Sequence, residues 1–125
     1  MIIISESLDH YSNSILIRKF IGKVSAPEII ESWNDLEENN LINTELKGII
    51  NDLTTCDLNM DMESFKVVIK FIKKHPILRS LRHAVISDSP EIIVFPTMAE
   101  GREIDLKIKP FSTMESAKDW ILSQY

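Results

Sequence analysis

Residues able to do chemistry are thinly scattered along this chain. Cys56 is the single thiol, and Asp52, Thr54, Thr55 and Asp57 around it supply carboxylates and hydroxyls but no base. His10, His75 and His83 stand far apart, so none is placed by sequence to activate Cys56 and none has metal-ligand spacing. A thiol in that setting is a small structural hydrophobe. The three glycines, Gly22, Gly48 and Gly101, are too dispersed for a phosphate-cradling loop. The residues therefore offer no catalytic group, metal site or cofactor site, and a non-enzymatic protein is expected.

Binding is the remaining chemistry. Asp52, Thr54, Thr55 and Asp57 follow the apolar run Gly48-Ile49-Ile50, and Asp88 and Ser89 follow His83–Ser87. If both runs are parallel strands, these polar residues gather at the carboxyl edge of the sheet, where open sheets bind ligands. Turn formation and helix capping compete for the same residue types. A second group, Asp61, Met62 and Ser64, opens a helix on which Lys66, Lys70 and Lys73 fall on one face at i, i+4 and i+7. These ten residues (Asp52, Thr54, Thr55, Asp57, Asp61, Met62, Ser64, Lys66, Lys70, Lys73) are the candidate partner-binding set.

Charge supports that choice. The net charge of −5 argues against nucleic acid, whose affinity rests on Lys and Arg neutralising phosphates. Six acids and no Lys or Arg lie between Glu28 and Glu45; six bases and no acid lie between Lys66 and Arg82. Such runs are ordinarily solvated helix faces, but a basic stripe in an acidic protein would also steer an acidic partner, or the acidic helix of a second copy. Met60, Met62, Met98, Val67 and Phe71 add apolar surface suited to an irregular core, a partner helix or a lipid-like ligand.

The elements that must position these residues follow from pattern. Ile2–Leu8 and Ser14–Val24 read as strands joined by a turn at Asp9, Ser12 and Asn13, with Ile15, Ile17 and Phe20 set against polar Arg18 and Lys19. Ser25, Pro27 and Glu28 have capping-box spacing, and Ile29, Trp33 and Leu36 form one apolar stripe before a stop near Asn39-Asn40. Lys47–Leu53 suits a buried central strand. Asp61 caps a helix carrying Phe65, Val68, Ile69 and Ile72, ended by Pro76. His83–Ser87 is the next strand, and Ser89-Pro90-Glu91 opens a helical segment made irregular by Pro96. Ile104, Leu106 and Ile108 alternate with polar residues as a last strand. Ser112-Thr113-Met114-Glu115 is a second capping box before a helix whose stripe is Ala117, Trp120 and Ile121. At 125 residues, the expectation is one domain over 1–125: α/β, ordered ββαβαβαβα, with a mixed, mostly parallel five-stranded sheet.

That order resembles the SpoIIAA/STAS family (sulfate transporter and anti-sigma factor antagonist domains). Gly48-Ile-Ile-Asn-Asp-Leu-Thr is similar to the family's central strand with its Asp-Leu-small turn. Ser89-Pro90-Glu91-Ile92, Gly101 and Lys109-Pro110-Phe111-Ser112-Thr113 resemble its last αβα stretch. Glu115 to Ile121 resembles the terminal helix of the SpoIIAA-like branch. The resemblance implies a non-enzymatic regulatory module that binds another protein through the second helix and the loop before it. Met62 stands where the family's phosphoacceptor serine belongs, so the usual serine phosphoswitch is not expected. The alternative is a carrier of a small apolar or lipid-like ligand, marked by an apolar pocket beneath the helices. Asp52, Ser87 and Lys109-Pro110 are also similar to strand-end residues of receiver domains, but Ile4 to Ile15 leaves no room for the crossover helix a receiver needs. With one cysteine and no transmembrane run, the expected setting is cytoplasmic.

Overall fold

A computed structural model describes residues 1–8, 13–102 and 105–123. The turn at Asp9 and Ser12, together with His10 and Ile104, lies outside the described residues. The elements in chain order are β1 (Ile2–Leu8), β2 (Ser14–Ser25), α1 (Ala26–Glu38), β3 (Leu46–Asn59), α2 (Met62–Lys74), α3 (Pro76–Ser80), β4 (Arg82–Ile86), α4 (Pro90–Arg102), β5 (Lys107–Phe111) and α5 (Met114–Leu122). Spatial order in the sheet matches chain order, β1-β2-β3-β4-β5. β1 runs antiparallel to β2, and every other pairing is parallel. The expected α/β fold with its mixed, mostly parallel sheet is what forms, and β3, with Ile49 and Ile50 fully buried, is its central strand.

Hydrophobic periodicity explains the layers. Leu16, Phe20, Ile49, Leu53 and Ile108 meet the stripes of α1 (Ile29, Trp33, Leu36), α2 (Val68, Ile69, Ile72) and α4 (Ile92, Ala99) on one face. Ile15, Ile50, Ala84 and Ile86 on the other face meet Ala117 and Ile121 of α5. Strands covered on both faces need near-continuous apolar runs, as Ile15-Leu16-Ile17 and Gly48-Ile49-Ile50 provide.

Local chemistry departs from expectation at four places. Ser25 sits at the N-cap of α1 without a side-chain cap bond, and Glu28 instead pairs with the amino terminus at 3.0 Å. The helix gains an acid near its positive end in either case. At α5 the cap is Thr113, whose hydroxyl accepts from the Ser116 backbone N–H, so the box is displaced by one residue. Pro76 ends α2 but also starts the short α3, because proline suits a first helical turn as well as it breaks a middle one. α4 runs unbroken through Pro96, which is buried with Ile92 and Phe95 against the core. Asp61, by contrast, caps α2 as expected, accepting from Ser64 N–H at 2.8 Å. That bond draws the Asp61 carboxyl below its ordinary value.

Gly48 is fixed by close approach. A Cβ there would lie 2.6 Å from Ile121 Cγ2 and 2.9 Å from the Arg82 carbonyl oxygen. Ile121 can shift; the oxygen of the neighbouring strand cannot. Gly48→Ala is expected to destabilise by about 1–3 kcal/mol, as overpacking does. Its added cost should be smaller, though not zero, in an Ile121→Ala background, which is itself destabilised by loss of a buried side chain. Urea unfolding of the single and double variants measures both.

Candidate functional site

Between the sheet and helices α1, α2 and α4 lies a cavity of about 80 Å³. Its floor comes from alternate residues of adjacent strands: Arg18 and Phe20 of β2, Asn51 and Leu53 of β3, His83 of β4 and Ile108 of β5. Its roof includes Trp33 of α1, Val68 and Ile69 of α2, and Phe95 of α4. Leu58, Met60 and Phe65 are half-buried lining residues and form the rim.

A β-bulge makes that rim. Lys19 pairs with Asp52 but Ile21 pairs with Thr55, so β3 carries one extra residue where β2 has none. Asp52 Oδ1 accepts from both the backbone N–H and the hydroxyl of Thr54 there, at 3.1 and 2.7 Å. Beyond the bulge the side chains change face, and Cys56, Leu58 and Met60 turn toward the helices.

Three polar residues interrupt the otherwise apolar floor. Arg18 and Asn51 are register partners on β2 and β3, while His83 pairs with Ile49, two residues before Asn51 on the same face. Arg18 is fully buried, and its Nε, Nη1 and Nη2 have no hydrogen-bond partner among the described residues. Its guanidinium lies 3.7 Å from the Trp33 ring centroid and 5.1 Å from that of Phe20, so aromatic faces are its cushion. Burial pulls its pKa well below the usual guanidinium range, to about 9. Trp33 Nε1 is also buried without a partner among the described residues. His83 meets Trp33 edge-on at 6.0 Å and bonds the Leu78 carbonyl through Nε2 at 2.6 Å. A carbonyl only accepts, so Nε2 carries the proton, and the buried Nδ1 has no partner among the described residues. Burial, opposed in part by that bond and reinforced by the Arg18 cation, lowers its pKa to about 4. His83 is neutral at physiological pH.

A second feature lies outside the roof. Lys66, Lys70 and Lys73 of α2 face Met98 and Arg102 of α4 across a surface groove of about 220 Å³, with Met62 at its α2 end. Lys66 pairs with Glu63 at 3.4 Å and Lys73 with Asp105 at 3.5 Å. Phe65 and Ile69 serve both as groove floor and as cavity wall.

The structure thus brings Met62, Lys66, Lys70 and Lys73 together and does not gather the rest of the candidate set. Thr54, Thr55 and Asp57 lie within β3, because that strand continues to Asn59 instead of turning after Leu53. Thr55 Oγ1 donates to the Phe20 carbonyl at 3.3 Å, which ties β3 to β2. The Asp-Leu-small segment is therefore a bulge inside a strand, and Asp52 serves it. Asp61 and Ser64 are joined by the α2 cap. Cys56 is half-buried, and burial, then the nearby Asp57 charge, push its thiol up to about 11, so it stays protonated. Trp120 is only half-buried; it packs on Phe111 and over Arg82, which donates to the Trp120 carbonyl and to Ser123 Oγ at the end of α5. Among the described residues no cluster of His, Cys, Asp and Glu could hold a metal ion, and no helix is long and apolar enough to cross a membrane.

Arg18, Trp33, Asn51 and His83 were not legible as a site in the sequence. Arg18 reads there as a solvated position, next to Lys19. The signal against that reading is the unbroken Ile15-Leu16-Ile17 before it: a strand buried on both faces leaves no solvent side for the next residue.

No protein-family model and no curated protein matches the sequence. Solved structures do. An uncharacterized protein of the DUF3478 family with a SpoIIAA-like fold, from Shewanella loihica PV-4, superposes with a TM-score of 0.68 at 22% identity, over 96% of this chain and 93% of that one. The anti-sigma factor antagonist SpoIIAA in its unphosphorylated form gives 0.54 at 15% identity, over 94% and 97%. An anti-sigma factor antagonist from Mycobacterium paratuberculosis gives 0.53 at 13% identity, over 97% and 94%. The fold of this chain is SpoIIAA-like.

Proposed function

We propose that the chain is a single-domain, non-enzymatic binding module that holds a small apolar ligand in the cavity between its sheet and helices α1, α2 and α4. The observation that carries this is the cavity itself, apolar on its walls yet floored by buried polar atoms, the Arg18 nitrogens and His83 Nδ1, that have no partner among the described residues. Interiors are normally packed to crystal density and satisfy their polar groups. A chamber that does neither, rimmed by adaptable Met60 and by Leu58 and Phe65, has the composition of a ligand site. A neutral naphthylamine dye should brighten on binding the protein and be displaced by a fatty alcohol. Val68→Phe, which fills the chamber from the roof, should abolish the signal while the far-ultraviolet circular dichroism is kept. Equal dye binding by parent and filled variant would place the dye elsewhere and sink the reading.

A second reading is favoured by the basic groove. Two of the structural neighbours are described as anti-sigma factor antagonists, a name that implies a protein partner for them. In this chain the surface suited to that role is the α2–α4 groove, and its occupant would be an acidic helix of a regulatory partner. Reading and groove agree in charge: four cations line it in a protein of net charge −5. Association measured by pull-down should weaken as salt rises from about 0.1 M to about 1 M, since screening shortens from about 10 Å to about 3 Å. Lys66→Glu with Lys70→Glu should remove it at any salt. Salt-independent association would assign the contact to another surface, and self-association alone would make the occupant a second copy.

A further inference from the structure

An apolar chamber has no use for a guanidinium without a counter-charge among the described residues unless something brings the missing charge. We propose that the cavity takes the carboxylate of a monoanionic amphiphile, an acid with a linear apolar tail, and that Arg18 is the residue that grips it. This rests on the cavity being a ligand site and adds the chemical class of the ligand.

Two observations and the chemistry of a buried guanidinium converge on that class. Arg18 is wholly buried, lines the cavity, and has three nitrogens without partners among the described residues. Removing one member of a buried ion pair is strongly unfavourable, because the remaining charge has lost its water without gaining a counter-charge. A carboxylate meets a guanidinium through two parallel hydrogen bonds, the geometry arginine is built for. Trp33 Nε1, another donor without a partner, lines the same chamber.

The site is also matched to a single negative charge. Among the described residues Arg18 is the only Lys or Arg on the cavity wall, and His83 spends its one proton on the Leu78 carbonyl. A phosphate monoester, with about −1.5 to −2 charges at neutral pH, would leave charge unmatched where solvent cannot screen it. The remaining wall is apolar, so a bare inorganic anion would satisfy Arg18 and waste Phe20, Leu53 and Phe95. Size sets the shape of the tail. About 80 Å³ is roughly half the ~150 Å³ chamber that encloses a benzene ring. The head group and first carbons fit inside, and the chain leaves between Leu58, Met60 and Phe65.

Calorimetric titration of the full chain with decanoate, decanol, decyl phosphate and acetate tests this. Decanoate should bind about tenfold or more tighter than decanol, the difference expected of a charge-assisted hydrogen bond, and acetate should not compete. Arg18→Met should erase that preference and keep decanol binding, since an apolar side chain of similar length suits the same walls. Should that variant fail to fold, the parent decides alone: the Arg18 Nε–H resonance should move on adding decanoate and stay put with decanol. Equal binding of decanoate and decanol would overturn the head-group assignment and leave the cavity as a ligand site. Tighter binding of decyl phosphate would overturn the monoanion. Competition by acetate at decanoate's own concentrations would reduce the site to a small-anion site. Binding of none of the four, with no dye binding either, would remove the cavity reading and this one together.

Discussion

Trp33→Ala is expected to lower the unfolding free energy by about 3–5 kcal/mol, the range for losing a fully buried large aromatic side chain. Trp33 is 2% exposed on the inward stripe of α1. Its ring covers the Arg18 guanidinium and meets the His83 edge, so truncation opens a void beside a buried charge. Trp120→Ala is the internal control. That ring is half-buried on the opposite face of the sheet, packed on Phe111, and should cost distinctly less. Denaturant unfolding of both variants settles the order. A Trp33 variant as stable as the parent, or a larger loss at Trp120, would show that α1 does not seal the chamber as described.

Acid should unfold this protein through His83. In the unfolded chain its imidazole takes a proton as pH falls through about 6.5; in the fold it resists until about 4. Between those values the unfolded state binds more protons, so stability is full above about pH 6.5 and drains as pH falls toward 4. At about 1.4 kcal/mol for each pKa unit, the loss attributable to this one residue is about 3 kcal/mol. Urea unfolding followed from neutral pH down to about pH 4 should show that loss in the parent. His83→Gln, whose amide can still donate to the Leu78 carbonyl, should lack it. Arg18→Met should narrow the window, because the Arg18 cation is one of the forces opposing protonation. If parent and His83→Gln lose stability in parallel, the acid sensitivity belongs to the carboxylates and His83 is not the buried neutral group described here.

The fold was readable because it depends on periodicity. The alternation of Leu106 and Ile108 with polar residues, the stripes of α1 and α2, and the Asp61 cap are local patterns, and each is visible within a few residues. The basic face of Lys66, Lys70 and Lys73 was readable for the same reason, and the structure keeps it together beside Met98 and Arg102. The α3 turn was not, since Pro76 signals the end of one helix and the start of another with the same residue.

The sequence by itself determined the strand order, the helix order apart from α3, the charge segregation and the absence of any thiol–base pair within local reach. Each follows from residue type and short-range spacing. Only the tertiary structure decided the site. Arg18, Asn51 and His83 come from three strands, and their meeting beneath Trp33 depends on parallel register, on the bulge at Asp52–Thr54 that turns Leu58 and Met60 inward, and on helices docking over them. A sequence shows that Arg18 is charged. Whether that charge finds water, an acid or an empty chamber is settled by what packs over it, and here Trp33 and Phe20 pack over it.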